Sequence, residues 1–133
     1  MLGANGEKTL VNGTIGRVKR RFRLTRSTDF TRVRRTGRSY AHPLVVLIVK
    51  PNEMDVVRIG ISASQAVGNA VNRNRAKRRL RACADVLLPE LKTGWDIVIL
   101  ARAPSLTAPF EELLTSLRQL CVKADLLDKT HDQ

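Results

Sequence analysis

One short segment constrains this chain more than any other: residues 71–81 read VNRNRAKRRLR, and six of these eleven residues are Arg or Lys. At 100° per residue, an apolar stripe runs through this segment and beyond it. Its members are Ala76, Leu80, Cys83 and Leu87. The spacing predicts a helix from about residue 69 to 88, which docks by one narrow face and presents cations over more than half of its circumference.

Charge of this density needs a counterpart outside the helix, because arginines three or four positions apart repel each other. A solvated helix surface is the alternative, but such surfaces usually mix signs, and no acid occurs between Arg58 and Asp85. The chain carries 24 basic and 12 acidic residues, a formal net charge of +12. A polyanion is therefore expected. Asn72 and Asn74, poor helix formers within the cationic face, favour RNA, whose 2′-hydroxyls and base edges both donate and accept.

The remaining pattern predicts an α/β fold of the α+β type, a two-layer sandwich of about four strands and three helices. Residues 27–37 favour a short helix that Gly37 ends in a left-handed conformation. Two β-branched runs, 44–50 and 56–63, flank the turn-like PNEMD and predict a hairpin. A strand at 95–101 and an amphipathic helix at 110–127 complete the order α-β-β-α-β-α, with a possible extra short strand near 39–43.

We expect a single domain at residues 21–127, between a flexible basic tail at 1–20 and a short tail at 128–133. No stretch approaches the roughly 18 apolar residues of a membrane span, and no secretory signal is visible, so we expect a cytoplasmic protein without a membrane partner. Cys83 and Cys121 form no CxxC pair. They are expected to be buried thiols in a reducing compartment.

Two motifs carry a specific resemblance. The segments GISAS and VGNAVNRNRAKRRLR closely match the signature of the bacterial ribonuclease P protein family, an Arg-Asn-Arg followed by x-Lys-Arg. Here these residues are Arg73, Asn74, Arg75, Lys77 and Arg78. RFRLTRSTDFTRVRRTGR resembles the family's N-terminal landmarks, which fall on Arg23, Leu24, Asp29, Phe30 and Gly37. WDIVILAR resembles its last strand, so the resemblance spans about residues 20–127.

The resemblance implies a subunit of a ribonucleoprotein whose RNA cuts precursor tRNA at the 5′ end of the mature tRNA. The partners would be the catalytic RNA and precursor tRNA, with no obligate protein partner. Mg²⁺ would be held mainly by the RNA, and the protein would improve affinity for substrate and metal. The family also implies a rare left-handed crossover between the second strand and the WDIVILA strand, where the general rule predicts a right-handed one.

The same resemblance assigns two RNA-contacting sets. The helix of the Arg-Asn-Arg motif would lie against the catalytic RNA through Asn69, Asn72, Arg73, Asn74, Arg75, Lys77, Arg78, Arg79 and Arg81. A cleft for the single-stranded 5′ leader would be bordered by Arg23, Phe30, Arg34, Ser62, Ser64 and Gln65. For Phe30, stacking on a base and ordinary core packing stay open, and Tyr40 has the same ambiguity.

The chain departs from the family pattern beside this cleft. Gln65 and Ala66 occupy the place of a usual Lys-Lys pair, and Arg34 stands where a second aromatic often follows the first. Leader contacts are therefore expected to depend more on charge and less on stacking than the family pattern implies.

The residues predict no catalytic or metal site of the protein's own. His42 and His131 have no matching acid or Cys spacing, Ser62 and Ser64 have no nearby His, and no carboxylate pair suggests two-metal chemistry. A protein-only nuclease is thus disfavoured, as is a histone-like DNA-bending protein, which would need a long apolar dimer surface. The principal alternative is a ribosomal or other structural RNA-binding protein, which the charge explains but the extended motif does not.

Overall fold

The structure, a computed structural model, describes residues 23–24 and 27–127 of the 133-residue chain. The predicted tails, 1–20 and 128–133, lie outside the described residues. Within that part the elements are α1 (Ser27–Thr36), β1 (Arg38–Ala41), β2 (Val45–Pro51), β3 (Val57–Ala63), α2 (Ala70–Leu87), β4 (Trp95–Ala101) and α3 (Phe110–Lys123). Short 3₁₀ turns occupy Gln65–Val67, Leu88–Glu90 and Ala103–Leu106. The predicted order is confirmed, and β1 is the extra short strand.

The four described strands form one mixed sheet in the order β1-β2-β4-β3. Because β4 pairs antiparallel with β2 and parallel with β3, the predicted hairpin between β2 and β3 is wrong. Burial explains the difference: Ile97, Val98 and Ile99 are all at most 3% exposed. Their side chains alternate between the two faces of β4, and only a central position covers both faces of such a strand.

The parallel pair β3 and β4 needs a crossover connection, and α2 provides it. The left-handedness of this crossover stays a prediction. The helix therefore returns along the sheet, so that its first turn lies near the end of β3: Arg73 of α2 contacts Ala63, the last residue of that strand. This topology places the cationic segment directly beside the edge strand β3.

Alternate side chains of the sheet face two separate cores. The larger core lies between the sheet and helices α2 and α3, and Leu47, Leu80 and Leu117 are among its fully buried members. The smaller core lies under α1 on the opposite face and comprises Leu24, Val33, Ile48 and Val98, with Phe30 and Val46 packed against it. α1 covers only part of that face, and Val46, Ser62 and Leu100 therefore stay partly exposed.

Gly37 follows α1 for a reason other than the predicted left-handed turn. The described glycines with positive φ are Gly68 and Gly94, so the prediction for Gly37 is wrong. A Cβ at Gly37 would lie 2.5 Å from the carbonyl oxygen of Val33 and 2.6 Å from that of Val49. Glycine is needed there because the end of α1 passes directly over the backbone of β2.

Candidate nucleic-acid interface

Two adjacent residues determine where α2, the helix of the Arg-Asn-Arg motif, begins. Gly68 has a φ of 124°, which residues with a side chain rarely adopt. Asn69 is the N-cap, and its side-chain oxygen accepts a hydrogen bond of 2.9 Å from the backbone N–H of Asn72. Asn69, predicted to contact RNA, therefore also has a structural role in starting the helix.

The predicted docking stripe of α2 is confirmed. Its four residues are at most 1% exposed: Ala76, Leu80, Cys83 and Leu87. Burial raises the pKa of the Cys83 thiol to about 12, against a smaller opposing effect of the Arg79 charge. Burial likewise raises the pKa of Cys121, on α3, to about 12. Both thiols stay protonated at neutral pH and belong to the core.

Part of the cationic surface of α2 is open to solvent. Asn74, Arg75 and Arg78 are exposed, and Asn72 and Lys77 are partly exposed. Within the described residues, the charged groups of Arg75, Lys77 and Arg78 have no ion-pair partner. Their repulsion is thus uncompensated in the folded domain, as the sequence predicted, and these side chains present a positive field to a polyanion.

Two other arginines of this helix are tied into the fold. Arg73 donates from Nη2 to the carbonyl oxygen of Ala63 at 3.1 Å, joining the first turn of α2 to the end of β3. Arg79 donates to the carbonyl oxygens of Ser105 and Ala108 and so holds the loop before α3. The prediction that both bind RNA stays a prediction, but each already has structural contacts.

Arg81 faces a pocket along the edge strand β3 instead of the open cationic surface. The pocket has a volume of about 230 Å³ and is lined by Arg23, Leu24, Phe30, Ile59, Gly60, Ile61 and Arg81. Leu24 is held there by its N–H, which donates to the carbonyl oxygen of Ile59 at 2.9 Å. Burial, and then the charge of Arg23, lower the pKa of Arg81, while the carboxylate of Asp85 acts in the opposite direction. The two guanidinium groups therefore share one electropositive recess.

Phe30 connects α1 with this pocket. A Cβ added at Gly60 would lie 2.5 Å from Cζ of Phe30, so the ring rests directly on the glycine backbone of β3. The ring packs against the smaller core, yet it remains partly exposed. The packing role that the sequence left open is therefore present, and part of the ring is still accessible from the pocket.

The other predicted leader residues lie outside this pocket. Ser62 follows Gly60 by two residues and lies on the same face of β3, where it is partly exposed. Ser64 lies just beyond the strand, and its N–H donates to the carbonyl oxygen of Ala101 at 3.0 Å. Gln65 is exposed in the following 3₁₀ turn, and Arg34 is exposed on α1. The structure thus brings Arg23 and Phe30 together and leaves Arg34, Ser64 and Gln65 at the periphery.

A buried carboxylate that the sequence did not single out lies beneath α1. The side chain of Asp96 is 0% exposed, and it accepts hydrogen bonds from Arg58 at 2.9 and 2.8 Å, from Asn52 at 2.9 Å and from Arg32 at 3.3 Å. Arg58 and Arg32 also contact Asp29 on α1, at 3.7 and 3.1 Å. The sequence offers one signal of this cluster, the acid inside the apolar run WDIVILA, because a buried charge requires partners.

These contacts decide the ionisation of Asp96. Burial alone would raise its pKa, but the hydrogen bonds from Arg58 and Asn52 and the charges of Arg58 and Arg32 outweigh it and lower the pKa below its ordinary value. The pKa of Arg58 is raised, chiefly by its hydrogen bond to Asp96. The cluster is therefore an ionised anchor for α1, and its carboxylate oxygens are occupied by nitrogen donors.

In residues 23–24 and 27–127, no group of three or more His, Cys, Asp and Glu side chains is arranged to hold a metal ion. Over the same residues, no helix is both long enough and apolar enough to cross a membrane.

Comparison with known proteins decides the family. A sequence model with the description Ribonuclease P matches residues 18–125. The chain belongs to the ribonuclease P protein family. The predicted family is thereby confirmed, and the chain is a protein component of ribonuclease P, an enzyme of tRNA processing that also contains RNA.

Relatives agree in sequence and in structure. The ribonuclease P protein component of Chloroflexus aurantiacus is 40% identical over 111 residues, covering 83% of this chain and 82% of the relative, and that of Herpetosiphon aurantiacus is 38% identical over 109 residues, covering 82% and 89%. The ribonuclease P protein structure from Staphylococcus aureus superposes with a TM-score of 0.71 at 31% identity, covering 80% of this chain and 98% of that one. The structure from Thermotoga maritima gives 0.66 at 27% identity, covering 74% and 93%.

Proposed function

We propose that this subunit binds the catalytic RNA through α2 and the 5′ leader of precursor tRNA through the cleft beside α1, while the RNA cleaves the phosphodiester bond. The exposed group Asn74, Arg75 and Arg78 carries the proposal. Arg73 and Arg79 hold the same helix to β3 and to the loop before α3. A rigid cationic surface with an interleaved amide suits folded RNA, because fixed phosphate contacts set register and the amide can pair with a 2′-hydroxyl or base edge.

The leader would follow the face of the sheet that α1 leaves partly open. Phe30 offers the accessible part of its ring to an unpaired base, an interaction worth about 1–3 kcal/mol in other single-strand binding proteins. Arg23 and Arg81 lie in the same pocket and would neutralise a backbone phosphate. Arg34, Ser62, Ser64 and Gln65 would extend the contact surface. Since Gln65 and Ala66 are uncharged, arginine supplies the positive charge of this cleft.

In this proposal the RNA subunit and its Mg²⁺ ions would perform the chemistry. Bound Mg²⁺ would supply an activated water molecule and electrostatic stabilisation of the phosphate oxygens. The Asp96 carboxylate does not fit a Mg²⁺ site, because both of its oxygens already accept from Arg and Asn donors. The protein would act by orienting the leader and by raising the affinity for substrate. Cytoplasmic location, alongside precursor tRNA, is part of this proposal.

The test is reconstitution of the chain with ribonuclease P RNA from the same organism. Cleavage of precursor tRNA with a long leader is compared with cleavage of a precursor carrying a single leader nucleotide, for the natural chain and for Phe30→Ala. The variant should lower kcat/KM by roughly fivefold or more on the long leader, if a stacking contact is lost, and should have little effect on the short one.

Phe110→Ala is the matched control, because Phe110 is an exposed aromatic at the start of α3 and lies outside the cleft. Equal losses on both substrates would show that Phe30 has only a packing role. Failure of the chain to support cleavage, together with co-purification of ribosomal RNA from its own cells, would favour the structural RNA-binding alternative.

A further inference from the structure

A second pocket opens far from the cationic start of α2. It has a volume of about 350 Å³ and lies where β2 ends and β4 begins; its lining is Thr36, Arg38, Tyr40, Val49, Lys50, Pro51, Trp95 and Ala124. Pro51 pairs with Trp95 at this end of β4, and Ala63 pairs with Ala101 at the other end. At about 3.3 Å per residue, the seven-residue strand β4 puts roughly 20 Å between this pocket and the contact of Arg73 with Ala63.

Aromatic side chains are concentrated in this pocket. The chain has five aromatic residues, and two of them, Tyr40 and Trp95, are in the lining. Both pack against the larger core, yet both are only partly buried. Within the described residues, neither the Tyr40 hydroxyl nor the Trp95 indole N–H has a hydrogen-bond partner, although such groups usually find one when buried. Each ring thus combines an apolar end in the core with an unused polar group.

The lining also carries positive charge without a counterion. Arg38 is exposed and Lys50 is partly exposed, and neither has an ion pair or side-chain hydrogen bond among the described residues. Two neighbouring acids are engaged elsewhere. Asp96, the strand partner of Lys50, is bound by Arg58, and Asp125, next to Ala124, pairs with Lys92 at 3.1 Å.

We propose that this Arg38–Tyr40–Trp95 pocket binds one unpaired nucleotide of an RNA strand. The aromatic side chains would contact the base, and the guanidinium of Arg38, which leaves the sheet on the same face as Tyr40, would contact its phosphate. A volume of 350 Å³ lies near the lower limit for small-ligand sites, about 300 Å³, and so suits a single nucleotide. The proposal depends on the proposed function only in taking RNA as the partner. It adds a contact outside both the α2 surface and the leader cleft.

The chain carries its own reporter, because Trp95 is its only tryptophan. Trp95 fluorescence is followed while the full chain is titrated with hexaadenylate or with 5′-AMP at low salt. Hexaadenylate should quench it saturably and bind more tightly than 5′-AMP. Tyr40→Leu, which keeps apolar packing, should weaken this binding roughly tenfold, the loss expected for one stacking contact. Arg38→Ala should reduce the log–log salt slope by about 0.7 if a phosphate contact is lost.

Matched controls are Phe110→Leu for loss of an aromatic ring and Arg102→Ala for loss of an exposed cation at the other end of β4. Both should leave the quenching unchanged. Labelled hexaadenylate that binds by anisotropy without quenching Trp95, or quenching that survives both pocket substitutions, would overturn the site. Equal affinity for 5′-AMP would overturn its assignment to an RNA strand. If the natural chain fails to support tRNA cleavage on reconstitution but hexaadenylate still quenches its Trp95 fluorescence, the proposed function alone is contradicted.

Discussion

Arg58 and Asp96 are directly opposed on the neighbouring parallel strands β3 and β4, and Nε and Nη2 of Arg58 donate to the two carboxylate oxygens of Asp96 at 2.9 and 2.8 Å. Arg32 of α1 donates to the same carboxylate at 3.3 Å. Since α1 also carries Phe30, an ion cluster built on the fully buried Asp96 helps to determine how this ring sits over the sheet. The shape of the proposed leader cleft therefore depends on residues beneath it as well as on those that line it.

Replacing Asp96 by Asn should destabilise the protein at neutral pH, because it leaves Arg58 and Arg32 beside a neutral group. Breaking a buried ion pair costs about 3–5 kcal/mol in other proteins. The pKa of Asp96 is lowered in the folded state, so its contribution is fully present above the unfolded pKa of about 3.9 and is lost as pH falls through the lower folded value. Urea unfolding of both proteins from pH 7 to 3 should show that the difference between their free energies of unfolding narrows below about pH 4.

If the difference in free energy of unfolding between the natural chain and Asp96→Asn stays constant over that range, the Asp96 carboxylate is not the group whose charge stabilises the fold. Asp55→Asn is a suitable control, because Asp55 is exposed and, among the described residues, accepts only a hydroxyl hydrogen bond from Thr93, at 3.1 Å. It should change the free energy of unfolding by no more than about 0.5 kcal/mol at either pH.

Gly60→Ala should destabilise the protein by about 1–3 kcal/mol through overpacking. The added methyl group would lie 2.5 Å from Cζ of Phe30 and 3.0 Å from Cβ of Leu24. In a Phe30→Leu background the same substitution should cost less, because the shorter side chain removes the closest contact. The free energies of unfolding of the four proteins form a double-mutant cycle. Additive costs would contradict the packing of Phe30 on Gly60.

Substitution by Ala should affect different properties at the neighbours Arg78 and Arg79: RNA binding at Arg78 and stability at Arg79. Arg79→Ala removes hydrogen bonds to the Ser105 and Ala108 carbonyl oxygens and should lower the free energy of unfolding by about 1.5–3 kcal/mol. Arg78→Ala should leave stability within about 0.5 kcal/mol, because its side chain is exposed. It should instead reduce the salt slope of binding to ribonuclease P RNA by about 0.7–0.9 if one phosphate contact is lost. An unchanged slope would show that Arg78 does not face phosphate.

The two cysteines should be inert in the native protein. Burial raises the pKa of Cys83 and of Cys121 to about 12, so almost no thiolate exists at pH 8. Iodoacetamide should alkylate both on the order of a thousandfold more slowly in the native chain than in urea. Mass spectrometry of timed samples measures the two rates. Fast native labelling of either residue would contradict its burial in the core.

Much of the candidate interface was predictable because it depends on local spacing. The stripe Ala76, Leu80, Cys83 and Leu87 is buried as its period predicts, and Arg75 and Arg78 are exposed as their positions on the wheel require. The division of the remaining cations was not predictable. Whether an arginine meets solvent, a carbonyl oxygen or a pocket depends on which loop or strand packs beside it, and the helical period carries no such information.

The sequence by itself determined the family, the element order and the cationic helix, because each is encoded in residues close together along the chain. Tertiary structure decided the rest. β4 was inserted between β2 and β3 because its side chains are apolar on both faces, and this placed Asp96 opposite Arg58. The shared pocket of Arg81 and Phe30, and that of Tyr40 and Trp95, follow from that same strand order. Such contacts join residues tens of positions apart, and only the packed sheet brings them together.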